Sequence, residues 1–335
     1  MPNNRTALIT GILGQDGSYL AELLLQKGYT VIGMDHAAGA ANAVQSTAQR
    51  FARVQSILGS ITLAPGDLAD QASLLHLIET YQPDEVYNLA AHTFVPASWG
   101  QIVCTGEINA LGVARLLDSI HQARPQARFL QASSSEVFGH PVESPQRENT
   151  PFSPRTPYGI AKAYAHWTTV NYRQSFGLFA VAAILYNHES ERRPPDFVTR
   201  KITQTAARIK LGLADQLPLG SLDARRDWGF AGDYVEALWR MVQHEPPEDF
   251  VIGSGETHTV REFCQLAFGR LDLDYRDYVI VDPRFVRPPE PVQLIADPTN
   301  ARQKLAWQPT LTFEQLVQRM VDADLQQLKQ GISRP

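Results

Sequence analysis

The chain has 335 residues, with 30 basic and 35 acidic side chains and a formal net charge of −5. Hydrophobic residues make up 44%, enough to bury a sizeable core, which excludes disordered and fibrous classes. The slightly acidic balance argues against nucleic acid or an anionic membrane as main partner, and two well-separated cysteines, Cys104 and Cys264, argue against a disulfide framework or a zinc–cysteine site.

The opening residues have no long apolar core and run straight into a strand-like segment. Nowhere do about eighteen apolar residues follow one another, as a spanning helix requires. A soluble cytoplasmic protein is therefore expected. Residues Ala7-Leu8-Ile9-Thr10 read as a buried strand, Ser18 to Lys27 as a helix and Tyr29 to Gly33 as a second strand. Between the first two lies Gly11-Ile12-Leu13-Gly14-Gln15-Asp16-Gly17, a GxxGxxG spacing rather than GxGxxG. Glycine is needed where a backbone bends tightly and approaches a pyrophosphate, and the helix start supplies free N–H groups. Strand before and helix after make this turn a candidate dinucleotide site.

Ala37 to Ala48, rich in Ala and Gly, reads as a loop. Gly66-Asp67-Leu68 follows a third strand; Asp67 could hold an adenine edge or simply cap a helix. Further strands are expected at Glu85 to Leu89, Arg128 to Gln131 and Ala180 to Leu185. Strands alternating with helices predict β-α-β units and a parallel sheet covered on both faces. Just past the fifth strand stands Ser133-Ser134-Ser135-Glu136, where a hydroxyl and a carboxylate would face a ligand at the carboxyl ends of strands. A capping role is the plainer alternative. Tyr158 and Lys162, four apart in a helical stretch, share one face. An ammonium beside a phenol favours the phenolate, which makes Tyr158 a candidate base toward a sugar hydroxyl. For an isolated pair, a surface lysine and a half-buried tyrosine would be the better reading; the upstream glycine turn favours the chemical one.

From about Asn187 the rhythm breaks at Pro194-Pro195, Pro218, Pro246-Pro247 and Pro288-Pro289, and Phe313 to Gln330 closes the chain as an amphipathic helix. Residues 1–186 are thus expected to form a dinucleotide-binding domain. Residues 187–335 would mainly form a smaller substrate domain, with some segments returning to the first. The nine histidines show no metal-ligand spacing, and no metal is expected. Ser98-Trp99 and Trp228 read as packing residues, and Glu189, Glu191, Arg192 and Arg193 as a mixed-charge loop.

With the glycine turn, Asn88-Leu89-Ala90-Ala91, the serine/acid segment and YxxxK in this order, the sequence resembles the extended short-chain dehydrogenase/reductase family. Within it, the chain is similar to the GDP-mannose 4,6-dehydratases. The closest matches are Thr10 to Leu20, Gln131 to Glu136, Asn187-His188-Glu189-Ser190, Phe197 to Lys201 and Arg226-Asp227-Trp228-Gly229. The resemblance implies an α/β, Rossmann-type doubly wound parallel sheet with a smaller C-terminal α/β substrate domain. It also implies a sugar-nucleotide 4,6-dehydratase whose Tyr158, Lys162, Ser134 and Glu136 are catalytic.

By the same resemblance Gly11, Gly14, Gln15, Asp16, Gly17, Asp35, Asp67, Leu68, Leu89, Ala90, Ala91, Tyr158, Lys162, His188 and Arg193 would bind NADP. Asn187, Lys201, Arg226, Arg287 and Glu290 would grip a GDP-sugar. The Arg192-Arg193 loop matches one that reaches a neighbouring subunit, implying a homodimer or homotetramer. The family's usual arginine and serine after the second strand are replaced by Asp35, His36 and Ala37. An acid there accepts from a free ribose hydroxyl and repels phosphate, so NAD stands as the alternative cofactor. Pro218 and Ser221 also depart from the family's nucleotide-binding segment. A reductase of a 4-keto-6-deoxy sugar nucleotide and a dehydratase of another GDP-sugar are the rival readings, with a non-catalytic cofactor sensor behind them.

Overall fold

The computed structural model describes residues 5–35, 47–285 and 292–332. Short apolar runs cross its centre as β1 (Thr6–Thr10), β2 (Thr30–Met34), β3 (Ile61–Ala64), β4 (Glu85–Asn88), β5 (Arg128–Ala132) and β6 (Ala180–Leu185). Shorter strands follow: β7 (Asn187–Glu189), β8 (Leu217–Leu219), β9 (Arg225–Arg226), β10 (Trp228–Phe230), β11 (Phe250–Ile252), β12 (His258–Thr259) and β13 (Val279–Val281). Seven of them form one all-parallel sheet in the order β11-β6-β5-β4-β1-β2-β3. Every residue of β6 is buried. A parallel strand covered on both faces must be apolar throughout, and Ala-Val-Ala-Ala-Ile-Leu meets that demand.

The helices are α1 (Gln15–Gln26), α2 (Thr47–Ala52), α3 (Gln71–Tyr81), α4 (Ile102–Gly106), α5 (Gly112–Ala123), α6 (Pro157–Phe176), α7 (Val198–Lys210), α8 (Ala231–Gln243), α9 (Val260–Gly269), α10 (Thr299–Lys304) and α11 (Phe313–Ile332). Alternation along β1 sends neighbouring side chains to opposite faces. Ile9 joins Leu20 and Leu24 of α1 and Leu238 and Met241 of α8. Leu8 joins Leu74 and Ile78 of α3 and Leu116 and Leu117 of α5. A separate core gathers Ile202 and Ala206 of α7, Phe263 and Phe268 of α9, and Leu316 and Met320 of α11 around Trp228. Both α8 and β11 come from beyond residue 187, yet α8 packs on α1 and β11 extends the large sheet.

From β1 the sheet grows outward through β2 and β3; the chain then crosses back and lays β4 along the other side of β1. The carboxyl ends of β1 and β4 therefore flank a topological switch point, where parallel sheets bind their ligands. Strand ends differ from expectation by a residue, and three helices differ in their bounds. Helix α1 starts at Gln15 rather than Ser18, because Gly14, in extended conformation, already offers its carbonyl to Ser18 N at 3.1 Å. Thr47 and Ala48 open α2 instead of ending a loop, and 37–46 lie outside the described residues. Helix α11 continues to Ile332. Among the described residues no helix is long and apolar enough to cross a membrane.

Candidate active site

The glycine turn sits at the switch point. Gly11 has φ +71°, and a Cβ there would lie 2.9 Å from the Ala90 backbone. A Cβ on Gly17 would lie 2.3 Å from the Gly11 carbonyl oxygen, so the helix can press against the turn only with glycine there. No side chain caps α1. Its first N–H groups and dipole thus face the crevice, the arrangement that suits a pyrophosphate. Ala90 N and Leu89 N donate to Thr10 Oγ1 at 3.0 and 3.1 Å, fixing the end of β4 against the turn.

Gln15 and Asp16 tie this turn to the segment after β6. Gln15 Nε2 donates to the His188 carbonyl at 3.1 Å, and Gln15 Oε1 accepts from Ser190 Oγ at 2.8 Å. Both nitrogens of His188 meet acceptors: the Tyr186 carbonyl 2.7 Å from Nδ1 and Asp16 Oδ2 2.8 Å from Nε2. A carbonyl and a carboxylate only accept, so this pair of partners favours a ring with hydrogen on both nitrogens. Burial alone would lower its pKa; the Asp16 charge and hydrogen bond raise it above the usual histidine value. Burial likewise pushes Asp16 up, and His188 brings it below the carboxylate norm.

The catalytic candidates converge from two elements. Ser134 ends the extended segment after β5 and its Oγ accepts from Glu136 N at 3.3 Å. Helix α6 is started by Thr156, whose Oγ1 accepts from Gly159 N at 2.9 Å, and by Pro157 in its first turn. That start brings Thr156 Oγ1 within 3.5 Å of Glu136 Oε2. Gly159 permits the approach, since a Cβ there would stand 2.6 Å from the Glu136 carbonyl. Tyr158 and Lys162 are both buried, with Lys162 Nζ 5.8 Å from the Tyr158 ring centre and 2.7 Å from the Ala132 carbonyl, to which it donates.

The sequence-level expectation of a lowered tyrosine pKa is reversed in this state. Burial pushes the Tyr158 phenol up to about 12, the Ser134 hydrogen bond opposes the rise, and the Glu136 charge adds to it. Lys162 is spent on the Ala132 carbonyl and is itself pulled down to about 8 by burial. Its ammonium therefore costs the fold stability at neutral pH. Lys162→Met is expected to raise the stability of the ligand-free protein by about 1–2 kcal/mol at pH 7, the penalty of a buried charge less the lost hydrogen bond. Because the folded pKa lies below the unfolded one, the unfolded chain binds more protons between about pH 8 and 10.5. Wild-type stability rises with pH across that window and the advantage of the variant fades. Urea unfolding at pH 7 and pH 10 checks both statements.

A buried polar chain that the sequence did not reveal supports Lys162. Thr10 Oγ1 donates to Asn88 Oδ1 at 2.6 Å, Asn88 Nδ2 to Gln131 Oε1 at 2.7 Å, and Gln131 Nε2 to the Ala132 carbonyl at 2.8 Å. The three side chains sit on β1, β4 and β5, so only strand register brings them together. Asn109 was also missed. It clamps the His92 backbone, accepting from the N–H at 2.8 Å and donating to the carbonyl at 2.9 Å.

Other expected positions fall as follows. Asp67 Oδ1 accepts from Ala69 N at 2.9 Å as a turn cap, and Leu68 is buried. Asp35, at the end of β2, is held by Arg50. Arg193 lies 3.2 Å from Glu189 Oε2 and stacks on Phe197 at 3.7 Å, with its charge felt by both Tyr158 and Asp16. Glu189 is buried rather than part of a solvated loop, accepting from Thr199 Oγ1 at 2.5 Å. Arg192 engages its own chain, donating to Ser18 Oγ and to both Glu22 oxygens.

Asn187 opens β7. Lys201 donates to the Pro218 carbonyl at 2.7 Å under the Phe285 ring, and Arg226 donates to the Arg225 carbonyl at 2.6 Å. Arg287 and Glu290 lie outside the described residues. Trp228 packs on Phe313, but Trp99 is 61% exposed and so is not a core packing residue. Among the described residues no group of three or more His, Cys, Asp or Glu side chains could hold a metal ion. A dinucleotide does fit: the glycines let the turn, the end of β4 and α1 pack closely, and the start of α1, which no side chain caps, is left to receive a pyrophosphate. Ser133 Oγ, after β5, is buried without a hydrogen-bond partner among the described residues.

Comparison with known proteins bears on what such a site does. Residues 8–320 match the family described as GDP-mannose 4,6 dehydratase. The chain is 46% identical over 330 residues to GDP-mannose 4,6 dehydratase 1 of Arabidopsis thaliana, covering 97% of this chain and 91% of that protein. It is 44% identical over 347 residues to the GDP-mannose 4,6 dehydratase of Homo sapiens, covering 98% and 93%. Among solved structures, the dTDP-glucose 4,6-dehydratase of Bacillus anthracis in complex with NAD superposes with a TM-score of 0.81 at 21% identity, covering 97% of this chain and 98% of that one. At that identity the likeness speaks for the fold.

Proposed function

This chain belongs to the GDP-mannose 4,6 dehydratase family, and we propose that its Ser134, Glu136, Tyr158 and Lys162 carry out the conversion of GDP-mannose to GDP-4-keto-6-deoxymannose with loss of one water. It is a hydro-lyase on a Rossmann-type sheet, with a nicotinamide dinucleotide as cofactor, for which we take NADP. The observation that carries the residue assignment is the carboxylate of Glu136 beside the serine–tyrosine–lysine set. A keto-sugar reductase needs the tyrosine and lysine but no carbon acid base.

The glycine turn and the start of α1 would hold the dinucleotide, which would supply reversible hydride storage for the sugar. Tyr158, hydrogen-bonded to Ser134, receives the proton of the C4 hydroxyl as the ketone forms. A phenol pushed up to about 12 needs positive charge nearby to act as a base. Lys162 remains mostly protonated at pH 7 and Arg193 adds to the field. The new ketone acidifies C5–H. Glu136 takes that proton and passes it to the C6 hydroxyl, so that the C6–O bond breaks with loss of water as the C5–C6 double bond forms. The proton that Tyr158 took from the C4 hydroxyl would go to C5 as C6 is reduced, so the residues end as they began and the sugar shows no net redox change. Thr156, whose Oγ1 lies 3.5 Å from Glu136 Oε2, would help to orient that carboxylate.

Lys201, Arg226 and Asn187 would grip the nucleotide-sugar, together with Arg287 and Glu290. The active assembly we propose is a homodimer or homotetramer. Ile160, Tyr164 and Trp167 form an exposed stripe on α6, beside exposed Trp99 and, on the adjoining α4, Ile102 and Val103. An apolar patch of that kind is typical of a subunit interface. Sedimentation velocity tests it directly, and a monomer at working concentration would remove the proposal. For the reaction, the test is incubation of the protein with GDP-mannose and catalytic NADP, without added reductant. Loss of one water per substrate is expected; an unchanged sugar nucleotide would reject GDP-mannose as substrate.

A further inference from the structure

We propose that Arg50, anchored by Asp35, is the group that reads the 2′ position of the cofactor's adenosine ribose and selects its phosphorylated form. The inference rests on the dinucleotide assignment above and adds a specificity determinant to it. Read from the sequence, Asp35 was the acid that would accept ribose hydroxyls and repel a phosphate. The structure gives it another occupation. Its side chain is 3% exposed, and its Oδ1 and Oδ2 both accept from Arg50 Nη2, at 2.6 and 2.8 Å. Arg50, at 23%, is the more exposed member of the pair. Of this pair it is the guanidinium that is the more accessible to a ligand.

Further guanidinium groups lie near this pair. Arg53, on the turn after α2, donates from Nη1 to the Leu13 carbonyl at 3.1 Å and from Nε to the Arg192 carbonyl at 3.0 Å. Arg192 in turn is paired with Glu22. Among the described residues, three guanidinium groups (Arg50, Arg53, Arg192) thus gather here, with Asp35 and Glu22 paired to Arg50 and Arg192. The crowding is large enough that burial and the neighbouring Arg50, Arg200 and Arg192 pull Arg53 down to about 10.

The cluster also lies in the right place. Gly11 N donates to the Met34 carbonyl at 2.7 Å, so the end of β2 rests on the glycine turn, and Leu13 belongs to that turn. The space beyond the second strand, next to the pyrophosphate cradle, is where the adenosine ribose lies in this fold. Guanidinium groups gathered there favour a phosphate over a hydroxyl, and a guanidinium fork matches phosphate geometry. Asp35 then acts as the positioning residue that holds Arg50, not as the ribose acceptor.

The test is direct binding of NADP, NAD, 2′,5′-ADP and 5′-ADP by titration calorimetry to the wild-type protein, Arg50→Ala and Arg50→Lys. The ADP pair probes the adenosine end without any nicotinamide. The wild type is expected to prefer both phosphorylated ligands. Arg50→Ala should weaken them about tenfold or more while changing NAD and 5′-ADP by less than about twofold, and Arg50→Lys should fall between. Circular dichroism on each variant checks that the fold is kept. A wild type that prefers NAD, or an Arg50→Ala that weakens all four ligands equally or none of them, overturns the proposal while leaving the dinucleotide site standing. Failure of the wild type to bind either dinucleotide overturns the dinucleotide assignment, and this inference with it.

Discussion

Tyr158→Phe is expected to lower turnover by about a hundredfold to ten-thousandfold, the range for removal of a positioned general base. It should leave dinucleotide affinity nearly unchanged. The ring stays packed at the start of α6, where the residue is only 8% exposed, so the variant removes one hydroxyl and little else. With that oxygen gone, Ser134 has no phenol to share a proton with and the C4 hydroxyl cannot be ionised as hydride leaves. Steady-state rates with GDP-mannose, alongside a binding isotherm for the cofactor, separate the two effects. Turnover within about tenfold of wild type would take the base role away from Tyr158.

Glu136→Gln is expected to arrest the reaction one step later. Glutamine keeps the shape of the side chain and can still face Thr156 Oγ1, but it cannot accept the C5 proton. Elimination should fall by at least about a hundredfold, while oxidation at C4 proceeds. Rapid quench followed by mass analysis should then find a 4-keto hexose that retains its C6 hydroxyl. Full dehydration by this variant would show that another group removes the C5 proton. The Glu136 charge also raises the Tyr158 pKa. The pH profile of the first step in Glu136→Gln is accordingly expected to shift toward lower pH.

How much of this was legible before the structure depends on how far apart the interacting groups are in sequence. The strands Ala7–Thr10 and Ala180–Leu185 announced themselves because a strand buried on both faces must be apolar throughout. The glycine turn and the Tyr158–Lys162 spacing are local patterns with local geometry, and both survive folding. The Thr10–Asn88–Gln131 chain was invisible, since its members lie on three strands whose pairing no single sequence states. The Tyr158 pKa was misjudged for a related reason: spacing shows that Lys162 shares its face, but not that the ammonium turns to Ala132 or that burial dominates. Asp35 shows the same limit. Its pairing with Arg50 depends on the return of the chain through α2, which no local pattern states.

The fate of the C4 hydrogen distinguishes an internal hydride transfer from any other route to the product. GDP-mannose deuterated at C4 should give a product that has lost one water and carries the deuterium at C6, because a single cofactor molecule takes and returns the same hydride within one turnover. Deuterium appearing in the solvent or in released cofactor, with an unlabelled C6, would contradict an internal hydride transfer and with it the proposed cycle of Tyr158 and Glu136.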